Sequence, residues 1–161
     1  MKKKTAGVLT YVVALIIPLG VGILSAILTK DNMNLYAEVK TPPLSPPAIL
    51  FPIVWTALYA LMGVSSALVY LNLPKDGKSG RAGLFFYALS LFFNFFWSIF
   101  FFNMRAYLFA FFWLLVLLAL IVLTVVKYRR VSQVAAYLQI PYAVWVAFAG
   151  YLNIGIWILN K

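Results

Sequence analysis

The stretch TPPLSPPAILFPIVWTALYALMG, Thr41 to Gly63, sets four prolines in six residues directly before an apolar run that carries a fifth proline, a tryptophan and a tyrosine. Its first half cannot be helical. Each proline fixes φ and removes an amide donor, so Pro42, Pro43, Pro46 and Pro47 favour a stiff, extended backbone. Its second half reads as a helix. Pro47 stands just before the first turn, and Pro52 falls early, where a missing donor costs least. Trp55 and Tyr59 are four residues apart and share one helical face, with Met62 and Gly63 a turn further on. A rigid loop entering a long apolar helix is the reading from which the fold follows.

Composition says what surrounds that helix. The chain is 65% hydrophobic and 10% charged over 161 residues, with a mean hydropathy of +0.99, more apolar surface than a soluble domain of this length can hide. Charged residues divide it into five apolar segments, about 6–28, 48–73, 82–102, 106–126 and 134–159. Each exceeds the roughly 20 residues that cross about 30 Å of hydrocarbon. The expected fold is an all-α membrane protein, a single domain comprising a five-transmembrane-helix bundle with a long proline-rich loop after helix one. The apolar run after the basic start is too long for a secretory signal, and LSA is a poor cleavage site, so the first segment is expected to remain as a helix.

Lys2, Lys3, Lys4, Lys75, Lys78, Arg81, Lys127, Arg129 and Arg130 put nine basic residues on one side, against Lys30, Lys40, Arg105 and Lys161 on the other. Positive charge in short loops stays cytoplasmic, which predicts an inside N-terminus and an outside C-terminus. The net charge of +10 then reflects topology and contact with anionic lipid, and no nucleic-acid partner is expected. Cys and His are absent, which removes disulfides, thiolate nucleophiles, imidazole bases and most transition-metal sites. The carboxylates Asp31, Glu38 and Asp76 all fall in loops. A proton- or sodium-driven transporter needs an ionisable group within its spans, so that class is excluded.

Two further sets combine large aromatics with hydrogen-bonding groups: Asn94 with Trp97 in the third segment, and Tyr142, Trp145, Ala149 and Asn153 along one face of the fifth. Lone membrane tryptophans are commonly interfacial anchors, which suits Trp157. Trp55, Trp97 and Trp113 instead fall roughly 8–10 Å inside their helix ends, and Trp145 near mid-depth. Two readings stay open for these rings, a packed core and a concave aromatic pocket. Asn94 and Asn153 must face the bundle interior, where interhelical amide bonding alone explains them. Gly22 with Ala26, and Gly63 with Ala67, fit the small-xxx-small pattern, which permits a homodimer. The long loop is either a linker or a lid over the mouth of the bundle.

LYAEVKTPPLSPP, PIVWTALYALMG, FFNFFWSIFFF and PYAVWVAFAGYLNIGIW together resemble the tryptophan-rich sensory protein family, also called the TspO or translocator protein family, over essentially the whole chain. The resemblance implies a five-helix bundle, often dimeric, with a pocket capped by the first loop. It implies porphyrin or haem as ligand, or another apolar small molecule, with no cofactor required. It implies a ligand site at Trp55, Tyr59, Asn94, Trp97, Tyr142, Trp145, Phe148, Ala149 and Asn153, under a lid of Pro42, Leu44, Pro46 and Pro47. Trp55 and Trp145 would be catalytic only if porphyrin is broken down in light. The family's loop pattern Pro-x-Trp-x-Pro-Pro has Leu44 in place of its Trp, an acidic residue of the fourth span is answered by Trp113, and the final IGIWILNK lacks the sterol-motif tyrosine.

Chemistry agrees with part of this. A porphyrin is flat, apolar and edged with carboxylates, so aromatic walls can stack on it while polar groups meet its rim. Without His or Cys, haem iron would find only Tyr or Met, which favours a metal-free porphyrin or haem held by stacking. The leading expectation is a porphyrin-binding sensor or carrier in a bacterial plasma membrane. The alternatives are a light-dependent porphyrin-degrading enzyme, for which no acid–base pair is present, and a structural or lipid- or sterol-binding membrane protein.

Overall fold

The computed structural model describes residues 2–73 and 76–161. Of the charges used above for orientation, Lys75 and the side chains of Lys2, Lys3 and Lys4 lie outside the described residues. The chain runs through α1 (Lys2–Thr29), a 3-10 turn (Lys30–Asn32), the single-turn α2 (Leu35–Glu38), α3 (Leu50–Leu71), α4 (Gly77–Ser98), a π-helical turn (Ile99–Asn103), α5 (Tyr107–Arg129) and α6 (Gln133–Leu159). Among the described residues there are no strands, and five helical segments are long and apolar enough to cross a membrane. This is the all-α five-helix bundle expected from the sequence.

Helix starts follow local chemistry. Asp76 caps α4, its carboxylate accepting from the Ser79 amide at 3.0 Å. Ser132 caps α6 through its hydroxyl oxygen, which accepts from the Ala135 amide at 3.3 Å. Each such bond satisfies a donor that the first turn leaves orphaned. The α4–α5 connection begins as a wider, π-helical continuation of α4. The π turn places the Met104 amide on the Ile99 carbonyl at 3.0 Å, and Arg105 takes a positive φ of 51° before α5 begins.

Around the bundle the spans neighbour one another in the order α1, α3, α6, α5, α4, with α4 returning to α1. Polar bonds tie several of them together. Ser65 on α3 donates to the Ala135 carbonyl on α6 at 2.7 Å, and Gln139 donates to the Ser65 hydroxyl at 3.2 Å. Trp97 on α4 donates its indole N–H to Asn153 on α6 at 3.1 Å, and Asn153 donates to the Tyr107 carbonyl at 2.7 Å. Such interhelical bonds average about 0.6 kcal/mol, so their role is to fix register.

The α1–α3 contact relies on shape. Pro18 lacks the amide that would bond the Ala14 carbonyl. Gly63 lies against that carbonyl, and a Cβ at Gly63 would sit 2.7 Å from its oxygen and 2.8 Å from the Leu15 Cα. One seam further along, a Cβ at Gly22 would collide with the Tyr59 ring. The small residues Gly22, Gly63 and the fully buried Ala67 therefore serve packing within one chain.

Candidate functional site

A cavity of about 210 Å³ opens between α1, α3 and α4 at the end of the bundle where loop one lies. Four of the residues singled out above line it: Trp55, Tyr59, Asn94 and Trp97. Helical spacing puts Trp55 over Tyr59, and the rings stack with centroids 5.5 Å apart and planes at 29°. Trp97 closes the same wall at 6.4 Å from Trp55. Asn94 donates to the Tyr59 hydroxyl at 3.3 Å, joining α3 to α4 beside the cavity. The opposite wall is α1, where Gly22, Ser25 and Ala26 leave space for the rings, and Met33, Phe51 and Phe102 also border the space. No carboxylate, lysine or arginine is among the lining residues. The cavity can hold an uncharged flat surface and is lined by one amide, one phenol and the hydroxyl residues Ser25, Thr29, Thr56 and Ser98.

Tyr142, Trp145, Phe148, Ala149 and Asn153 do not line this cavity. Tyr142 stands behind the wall, its ring edge-on to Trp55 at 6.1 Å. Asn153 acts from behind as well, through its bond to Trp97. Trp145 packs against Phe51 at 5.9 Å and Phe148 at 5.7 Å. Its indole N–H and the Tyr142 hydroxyl are buried without a partner among the described residues. Ala149 is buried beside them. The aromatic set thus divides into a cavity wall from α3 and α4 and a packed layer from α6. Trp113 belongs to neither: it stacks on Phe93 at 4.2 Å and donates to the Phe93 carbonyl at 2.7 Å.

Loop one is organised differently from a simple proline lid. Pro42, Leu44, Pro46 and Pro47 do not line the cavity. The part that plugs the bundle mouth is α2, where Leu35 is 1% exposed and Tyr36 packs on Phe51 at 4.9 Å and Phe101 at 6.5 Å. The proline segment straps this plug to α6. Pro42 fits against Gly155, where a Cβ would lie 2.7 Å from the proline ring, and Tyr151 donates to the Pro43 carbonyl at 2.8 Å. The Lys40 amide donates to the Asn160 side chain at 2.9 Å, which in turn donates to the Lys40 carbonyl at 2.8 Å.

On the other side, Asn32 donates to Asn103 at 2.9 Å, and Arg105 pairs with Glu38 at 2.9 Å. That ion pair is half-exposed and worth at most about 1 kcal/mol. Leu44 is 83% exposed with a φ of 67°, a strained conformation for a leucine. The strap residues Tyr151, Gly155 and Asn160 were not singled out by the sequence, because nothing in the α6 pattern names a loop as their partner. Gly22 was visible only as a small residue.

The TspO/MBR family model matches residues 14–158. The chain is 36% identical over 154 residues to the tryptophan-rich protein TspO of Chlorobaculum tepidum, covering 95% of this chain and 97% of that one. It is 34% identical over 131 residues to the translocator protein of Ovis aries, covering 81% and 78% of the two chains. With the tryptophan-rich protein TspO of Archaeoglobus fulgidus it shares 32% identity over 154 residues, 95% of this chain and 98% of that one.

Proposed function

This chain belongs to the TspO/MBR family of multi-pass membrane proteins, and on that premise we propose that it is a membrane sensor or carrier for a porphyrin-type tetrapyrrole. The observation that carries the reading is the wall formed by Trp55, Tyr59 and Trp97 with Asn94 beside it, facing a cavity free of charged side chains. Flat aromatic faces stack offset on such a wall. The rim carboxylates of a porphyrin would point to the mouth, where Lys30 follows the last turn of α1 and is exposed. Iron is not needed for this binding mode, and Tyr59 engages Asn94.

The cavity of about 210 Å³ is smaller than the roughly 300–1,000 Å³ of ordinary small-molecule sites. Binding therefore requires the wall to open, and α1 is the element placed to move, because the side-chain hydrogen bonds beside the cavity join α3 to α4 and α4 to α6. We place the protein in a bacterial plasma membrane with its N-terminus inside, on the charge asymmetry of its loops. A homodimer completes the reading. Its interface would use outward-facing positions such as Gly20, beside which there is open space, since Gly22 and Gly63 are occupied within the chain.

The test is titration of the detergent-purified protein with protoporphyrin, following tryptophan emission in darkness. Saturable quenching that Trp55→Phe or Trp97→Phe weakens several-fold supports the reading. Quenching indifferent to both substitutions overturns it and leaves the rings as packing. Illumination of the same samples addresses the photochemical alternative: of its two tryptophans, Trp55 lines the cavity and Trp145 does not.

A further inference from the structure

A second cavity, of about 510 Å³, lies between α1, α3 and α4 at the opposite end of the same seam and shares no lining residue with the first. Its wall is mostly aliphatic, from Leu9, Val13 and Ile17 on α1 and Leu84 and Leu91 on α4, and no charged residue lines it. The three α1 residues are exposed, as is Ala88 on α4, so the space opens sideways toward lipid. A cation continues the α4 wall beyond the end of the cavity. Gly77, Arg81, Leu84, Ala88 and Leu91 recur along α4 at spacings of four, three, four and three, which is one helical face. The Arg81 guanidinium turns back along that face toward the helix start, 3.8 Å from where a Gly77 Cβ would sit. It thereby stays in line with the cavity while leaving the hydrocarbon, as long basic side chains do near helix ends. Arg81 is exposed and has no hydrogen bond or ion pair among the described residues. Lys127, by contrast, lays its stem against Gly83 at the α4–α5 seam, on another side of α4.

Depth and charge together decide the occupant. From Arg81 to Leu91 the α4 face runs about 15 Å, the depth of one leaflet in a hydrocarbon layer of about 30 Å. A water-soluble anion would use Arg81 and leave the apolar space empty, whereas a plain hydrocarbon would fill the space and leave the guanidinium without a partner. A molecule with an anionic head and a long chain uses both. We propose that this cavity holds one acyl chain of an anionic phospholipid, whose phosphate accepts hydrogen bonds from Arg81. A guanidinium suits that role because its planar fork meets two phosphate oxygens at once. Tyr70, one residue before the end of α3, lines the cavity and is exposed at the same end of the bundle, an interfacial position for a phenol beside the lipid's glycerol. The volume is within the range of small-molecule sites. The site is distinct from the aromatic cavity and requires no porphyrin there.

The test is native mass spectrometry of the full chain in detergent, titrated with dioleoyl phosphatidylglycerol or dioleoyl phosphatidylcholine. The expected result is one tightly held phosphatidylglycerol per chain, favoured about fivefold over phosphatidylcholine, the scale of one basic residue at a membrane surface. Arg81→Gln removes that preference. Arg129→Gln, which deletes an exposed charge at the same end of the bundle from a helix that does not line the cavity, keeps it. Ala88→Phe, which fills the cavity from its exposed rim, weakens both lipids several-fold while leaving thermal stability near wild type. Protoporphyrin quenching in all three variants reports separately on the aromatic cavity. Equal binding of the two lipids, an Arg81→Gln protein that behaves as Arg129→Gln, or unchanged lipid binding in Ala88→Phe overturns the proposal. So does a lipid-free dimer that Ala88→Phe dissociates, which would assign this face to a second copy of the chain.

Discussion

At Gly22 and Gly63 one added methyl group meets two different kinds of neighbour. At Gly22 it strikes the edge of the Tyr59 ring, which can swing; at Gly63 it meets the Ala14 carbonyl and Leu15 Cα, which are backbone. Gly63→Ala should therefore cost roughly 1–3 kcal/mol, as overpacked sites do, read as a lowered unfolding midpoint in detergent. Gly22→Ala should cost less stability and more ligand, since the displaced ring moves into the aromatic cavity; protoporphyrin quenching would report it. Asp76 supplies a pH-dependent case. Hydrogen bonds from the Ser79 side chain and amide hold its carboxyl below the usual carboxylate range. Its cap is then fully present above that range and is lost as pH falls through the depressed value. The Ser79 amide resonance should follow this titration, and Asp76→Asn, a good cap without a charge, should remove the pH dependence. The sequence announced Gly22 and Gly63 as points of close approach. It could not say which helix approaches, because a small residue records the space it leaves and not the group that fills it.

Among the elements, loop one departs most from its sequence reading. The prolines announce stiffness, and the segment is stiff, but the plug is the neighbouring LYAE turn, where Leu35 is buried. A four-residue helix has too little pattern to be recognised, and its burial comes from Phe51 and Phe101 far along the chain. The π turn was equally silent, since IFFFN continues the apolar run of α4 without a break in hydrophobicity. By contrast, the pairs Trp55 with Tyr59 and Asn94 with Trp97 were each legible as one helix face, because helical spacing aligns residues three and four apart; that the two faces meet at a cavity was not. The strap gives an element-level prediction. Asn160→Ala removes both side-chain bonds to Lys40, and Tyr151→Phe removes the one to Pro43. With each such bond worth about 0.5–1.5 kcal/mol, the two lost bonds should raise amide exchange at Lys40 by about five- to 150-fold in Asn160→Ala, with the single bond lost in Tyr151→Phe giving a smaller rise and the helical core unchanged.

Over the whole molecule, side-chain hydrogen bonds tie α3 to α6, α4 to α6 and α3 to α4, whereas the remaining side of the aromatic cavity is closed by α1. Ligand entry is thus expected to move α1 relative to α4 while α3 and α6 stay together. The cysteine-free sequence makes this directly measurable with spin labels. The exposed pair Ile23→Cys and Phe92→Cys should lengthen by about 2 Å on protoporphyrin addition, the scale of helix shifts in switching proteins. The pair Ile53→Cys and Val144→Cys, on α3 and α6 and also exposed, should not change. Five spans were countable from hydropathy, but their neighbour order was not, since it depends on side-chain partners such as Ser65 with Gln139 and Trp97 with Asn153 that are more than fifty residues apart.

The reciprocal bonds between Lys40 and Asn160 join positions 120 residues apart. During synthesis the strap leaves the ribosome long before the residue that fastens it, so every span must be inserted and α6 must be in place before loop one can be secured. A nascent chain is open-mouthed until α6 arrives, and fastening the strap records that α6 has reached its place.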